Sequence, residues 1–213
     1  MTVIHEPRSR EELDALLLPR HLNSHCVEVA LGQGAAEAST WGAGAPASAP
    51  EYARWARTVE HLHNELMAAG MKVQRRNPQN LPVWIHVDSG HGLVVSSGDP
   101  YTGLSEGKSP KTRNPKGARF LQSVSPSGQA SFFSVVAESG DTVDLDDMWV
   151  LLYHEAGGRV NAELSSPMGV EGERIVSWTT RILMPPYDLA TNAFSFEDGR
   201  DEQDLGFIVT RRA

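Results

Sequence analysis

Cysteine is almost absent from this 213-residue chain, where Cys26 stands alone. A single thiol excludes an internal disulfide framework and points to a reducing compartment, the cytoplasm. Long apolar runs are missing too. The longest, "FFSVVA" and "MWVLLY", are far too short to span a bilayer, so no membrane partner is expected. The opening "MTVIHEPRSR" has no apolar core and carries Glu6 early, unlike a signal peptide.

Intact catalytic signatures are also lacking. "GLSEGKSP" sets three residues between Gly103 and Gly107 where a phosphate loop needs four, and Pro110 and Pro115 block the helix that should follow. There is no Gly-x-Ser-x-Gly elbow, and Gly32-x-Gly34 meets Glu37 where a dinucleotide fingerprint needs its third glycine. Asp141, Asp144, Asp146 and Asp147 lack the order of a calcium loop. His25 and Cys26, read as neighbours on a strand, point to opposite faces and form no nucleophile–base pair.

What the chain does have is segregated charge. The net charge of −8 divides into −4 over residues 1–71, +5 over 72–119 and −9 over 120–213. An acidic total repels polyanions over most approaches, yet a local contact through the basic middle stays open.

The pattern predicts an α+β fold: a mainly antiparallel sheet, one long amphipathic covering helix at about 51–69, and a loose N-terminal helical segment. Residues 1–49 read as an N-terminal helix, a strand and a flexible Gly/Ala/Ser/Pro connector. Residues 50–213 read as the core domain, with a long basic loop over 98–118. Ser9 with Glu12 makes a capping box for a helix over about 10–18. "CVEVAL" alternates and reads as a strand. Tyr52, Trp55, Val59, Leu62 and Leu66 form one stripe, closed by Gly70 at the helix end, and His63 flanks that stripe. Strands follow at "MKVQR", "VWIHV", "GLVVSS" and "SFFSVVA", then a meander of "MWVLLYH", "RVNAELS" and "ERIVSWTTRILM" stopped by Pro185 and Pro186, with "LGFIVTR" as a last strand. In "RVNAELS" the alternation of Val160, Ala162 and Leu164 with Arg159, Asn161, Glu163 and Ser165 predicts one wet face.

Two places carry candidate chemistry. In "VWIHVDSGHGLVV" a two-residue Ser89-Gly90 turn sets Asp88 across from His91, with His86 one pair further in on the same face. Such neighbours have Cβ atoms about 5 Å apart. His86, Asp88 and His91 then offer N/O ligands to a divalent ion, zinc or manganese. The second place is the basic set Lys108, Lys111, Arg113, Lys116 and Arg119, suited to a phosphate backbone or an acidic partner.

The expected function is a non-catalytic binding or accessory protein in a complex, working through loop 103–119 and the polar sheet face. Its partner is a protein, with nucleic acid as the alternative, and no cofactor is expected. On that view, removing 105–117 leaves stability nearly unchanged. The rival is a metal-dependent hydrolase or nuclease on His86, Asp88 and His91, with Glu65 or Glu106 as base. A third reading is an acidic inhibitor or immunity-type protein using Asp198, Asp201 and Asp204.

Overall fold

The computed structural model describes residues 2–77, 81–114, 133–136, 142–145 and 147–196. The expected strand "LGFIVTR" lies outside them. The fold is α+β. In chain order the elements are β1 (Val3–His5), α1 (Arg10–Leu17), a 3-10 helix (Leu18–Arg20), α2 (Ser24–Ser39), α3 (Ala49–Ala68), β2 (Val73–Arg76), β3 (Val83–His86) and β4 (His91–Ser97). After them come β5 (Phe133–Val136), β6 (Thr142–Leu145), β7 (Asp147–Ala156), β8 (Arg159–Glu171), β9 (Arg174–Leu183), β10 (Tyr187–Asp188) and β11 (Ala193–Phe194).

The main sheet runs β1-β9-β8-β7-β4-β3-β2, with β10 and β11 joined at β8. Its ladders are antiparallel except for β1 with β9 and β4 with β7. The β5–β6 hairpin forms a separate small sheet. One face of the main sheet lies under the helices, where Trp84, Leu93, Val95, Leu151, Ala162 and Leu164 join residues of all three α-helices in one core. The other face buries Val83, Ile85, Val94, Val150, Leu152 and Trp178.

Local signals explain the clearest elements. The Ser9 hydroxyl accepts the Glu12 N–H at 3.2 Å, and the Glu12 carboxylate accepts the Arg8 N–H at 2.8 Å, so α1 starts where its capping box stands. Gly70 takes φ +70°, the left-handed closure of α3. Along α3, Val59, Leu62 and Leu66 are buried, while the Trp55 indole reaches the Val95 carbonyl at 3.3 Å. Tyr52, assigned to the same stripe, is instead 68% exposed.

The segment "CVEVAL" is helix, not strand. Asn23 caps α2 by accepting the Cys26 N–H, and Cys26, Val27, Ala30, Leu31, Gly34, Ala35 and Ala38 turn one side of it inward. Six alternating letters fit either period; only the longer window to Ala38 shows the helical one. The helix also takes the first part of the expected connector, leaving 40–48 between α2 and α3. The N-terminal segment expected to be loose is packed: Leu13, Leu17 and Leu22 are fully buried, and Arg10 bridges to Glu28 at 3.0 Å. Burial pushes the Cys26 thiol up to about 11, so at neutral pH it is no nucleophile.

The wet face predicted for β8 is wet only near its start. Glu163 and Ser165 are fully buried, because the chain between β4 and residue 114 lies across this face. Arg181 grips Glu163 through Nε at 3.0 Å and through Nη2, and Nη2 also donates to the Leu104 carbonyl at 2.9 Å. The other Glu163 contacts are the Gly103 N–H at 2.8 Å and the Ser165 hydroxyl at 2.7 Å. Gly103 has φ +73°, and a Cβ there would stand 3.0 Å from Asn161 Cβ, so only glycine brings the loop this close. Further along, the Trp178 indole donates to the Pro110 carbonyl at 2.8 Å, and Thr112 accepts the Ile175 N–H at 3.1 Å. The basic loop is therefore a docked cover as far as Asn114, and cutting out 105–114 would strip Trp178 of its partner.

Two outcomes follow from this packing. Glu163→Gln leaves the Arg181 charge buried without a counter-charge, and urea unfolding should show a loss of about 3–5 kcal/mol. Gly34 faces α3 so closely that a Cβ would lie 2.1 Å from Thr58 Oγ1 and 2.8 Å from the Arg54 carbonyl oxygen. Gly34→Ala should thus destabilise by about 1–3 kcal/mol despite alanine's better helix propensity, read as a lower unfolding midpoint.

Candidate functional site

The hairpin "VWIHVDSGHGLVV" pairs Val83 with Val94, Trp84 with Leu93 and Ile85 with Gly92. The loop is therefore four residues, 87–90, not the two of Ser89-Gly90. Gly90 closes it at φ +69°, with its N–H on the His86 carbonyl at 2.9 Å. The same register sets His86 opposite His91, both on the helix side with Trp84 and Leu93. Asp88 moves out into the loop, where its carboxylate takes Lys72 Nζ at 3.0 Å with both side chains well exposed. That lysine holds the Asp88 carboxyl below its ordinary range.

A third imidazole completes the cluster. His21 follows the 3-10 helix and reverses the chain toward α2 in the left-handed region, φ 57°. Its ring stacks on His86 with centroids 3.3 Å apart and planes 1° from parallel, and lies 5.5 Å from His91 at a tilt of 48°. Ser89 ties the group together. Its Oγ sits 2.9 Å from His21 Nε2 and 3.1 Å from His86 Nδ1. The Ser89 N–H donates to His86 Nδ1 at 3.3 Å, and the His91 N–H donates to Ser89 Oγ at 3.4 Å. Among the described residues, His91 Nδ1 is buried without a hydrogen-bond partner. Beside them the Arg20 guanidinium lies 4.3 Å from the Trp149 ring centre, and the Trp149 indole donates to Asp147 at 2.6 Å.

Of the expected trio, then, His86 and His91 meet and Asp88 does not join them. Among the described residues no group of three His, Cys, Asp or Glu side chains is set to hold a metal ion. Parallel imidazoles present their faces to each other, whereas metal ligands aim ring nitrogens at one point. The residues that sequence reasoning passed over are His21 and Ser89. Ser89 was taken as a turn former, and His21 lies 68 positions away on an element of its own.

The basic set is dispersed. Lys108 Nζ lies 6.0 Å from the Tyr101 ring centre, Lys111 reaches Glu171 at 3.9 Å, and Arg113 pairs with Glu51. Lys116 and Arg119 lie outside the described residues, as do Asp198, Asp201 and Asp204. Of the two bases proposed by type, Glu65 faces His25 at 3.7 Å on the helical layer. Arg113 opens onto a small cleft lined by Glu51, Arg54, Ser97, Tyr153, His154 and Glu155. It lies where the parallel strands β4 and β7 end, beside the first turn of α3. Burial pushes the Tyr153 phenol well above its ordinary value, so it stays protonated. Arg54 and Glu155 pair across the cleft.

No protein-family model, curated protein or solved structure matches this chain. The functional reading rests on its own residues. Among the described residues no helix is long and apolar enough to cross a membrane.

The histidine cluster predicts a pH dependence. Burial first, and then repulsion from His86 and His91, lowers the His21 pKa, with Asp88 opposing. A base whose pKa falls on folding binds protons more weakly in the native state than in the unfolded one. Its contribution is complete above the unfolded value of about 6.5 and is lost as pH falls through it. Urea titrations should show stability declining from pH 7 to pH 5, with a shallower decline in His21→Asn.

Proposed function

We propose that the protein is a cytoplasmic binding or accessory protein that meets an acidic segment of a partner protein at the Arg113 end of its basic loop. The observation that carries this is the open charged cleft, in which Arg113 from the loop and Arg54 from α3 converge with Glu51 and Glu155. Both arginines already hold carboxylates of the same chain. The Arg113–Glu51 pair is half exposed, and such surface pairs contribute only about 0–1 kcal/mol, so an incoming carboxylate exchanges with Glu51 at little cost. Lys108 and Lys111 extend the positive charge along the loop, and the rigid docking of 98–114 means little ordering entropy is lost on contact. Tyr52, 68% exposed, follows Glu51 of the cleft in α3. Aromatic and arginine side chains are the residue types that dominate interface energies. A protein partner suits the acidic total better than nucleic acid does, and the lone buried Cys26 suits a reducing compartment.

Lys111→Glu with Arg113→Glu tests it. Cross-linking in the source cells should capture a defined protein with the native chain and lose it with the double variant. The unfolding free energy should stay within about 0.5 kcal/mol, since both changes are on the surface. Capture of the same proteins at the same yield by both chains would overturn the proposal.

A further inference from the structure

The Ser89 hydroxyl has an arrangement that a turn does not require. Its oxygen accepts the His91 N–H, and His86 Nδ1 already accepts the Ser89 N–H. The single hydroxyl proton is left to two imidazole nitrogens, His21 Nε2 at 2.9 Å and His86 Nδ1 at 3.1 Å. A serine within hydrogen-bond reach of a neutral imidazole nitrogen is the first requirement of an activated nucleophile. The second is a base that stays in place. His21 is held by the stacked His86 ring beneath it, and by a left-handed backbone that is strained for a residue with a Cβ. The serine itself is partly exposed on the hairpin loop, and it shares no residue with the Arg113 cleft.

We propose that Ser89 is a nucleophile with His21 as its general base, and that the site takes small activated acyl groups such as acetyl esters. Ser89 Oγ attacks the carbonyl carbon and forms the new C–O bond while its proton passes to His21 Nε2. The bond from that carbon to the leaving oxygen breaks, and His21 returns the proton to the departing alkoxide. Water, deprotonated in turn by His21, then attacks the acyl-serine. The acid leaves, and the Ser89 hydroxyl is restored. Packing against His86 and His91 favours neutral His21 before reaction, and the nearby Asp88 carboxylate steadies the imidazolium formed during it. Ser89 is only partly exposed and its hydroxyl is flanked by His21 and His86, so a short acyl chain fits better than a long one.

The full chain is incubated with p-nitrophenyl acetate and, separately, with a fluorophosphonate, and the adducts are mapped by peptide mass spectrometry. The expected result is a single adduct on Ser89 with each reagent. The Ser89→Ala variant should give none, and His21→Asn, chosen because asparagine tolerates the left-handed region, should react about 100-fold more slowly. Adducts only on lysines or other residues of the native chain overturn the proposal. So does a Ser89 adduct that forms equally fast in folded His21→Asn. The mapping on the native chain needs no variant, so a variant that fails to fold leaves the test intact. Loss of partner capture at Arg113 bears only on the binding proposal, because the two sites have no residue in common.

Discussion

The buried Glu163–Arg181 pair is the interaction on which the rest of this structure depends. Both side chains are nearly or fully out of water, which carries a large desolvation cost unless every lone pair and proton is matched. Here two of the matching groups come from outside β8 and β9: the Gly103 N–H donates to the carboxylate, and the Leu104 carbonyl takes the second Nη2 proton of Arg181. The loop after β4 is thus an electrical component of the core. Once it is seated, Pro110 and Thr112 reach Trp178 and Ile175, and the second face of the sheet is closed. The same seating carries Arg113 to the mouth of the cleft. A loop rich in glycine, proline and lysine is rigid here because two buried charges need its backbone.

The opposite end of β4 shows a different economy. There three imidazoles and a hydroxyl meet, held by stacking and by hydrogen bonds around Ser89. Burial and the neighbouring imidazoles lower the His21 pKa. Lys72 holds the Asp88 carboxylate out in solvent. The two ends of one strand therefore carry an open cleft of paired charges and a cluster of imidazoles, separated by the buried core of β4.

Much of the fold was legible. Ser9 and Glu12 marked α1, Gly70 marked the end of α3, and the turn after β7 with the alternation at the start of β8 marked the meander, because each of these is set by local backbone chemistry or by an unbroken period. The failures have equally definite causes. "CVEVAL" alternates by chance over a window too short to separate the two periods, and the glycines that made α2 look like a connector are there because Thr58 and Tyr187 press against it. The hairpin strands were correct but their register was not, since a four-residue loop and a two-residue loop differ by only a few letters. That difference moved Asp88 out of the cluster and set His86 opposite His91 on the paired strands. His63 was rightly placed at the sheet, where its Nδ1 accepts the Trp84 indole proton at 3.3 Å.

By itself the sequence determined the class of fold, the caps, most of the strands, the charge segregation and the absence of known catalytic motifs. These depend on neighbours a few positions apart, where spacing alone decides which side chains meet. Only the tertiary structure decided that His21 stacks on His86, 65 positions further along the chain with several elements between them, and that Glu163 and Arg181 are buried. Only it decided that the basic loop is a cover. Each of those facts depends on which faces of distant elements come together, and burial turns an ordinary polar residue into one that must find a partner.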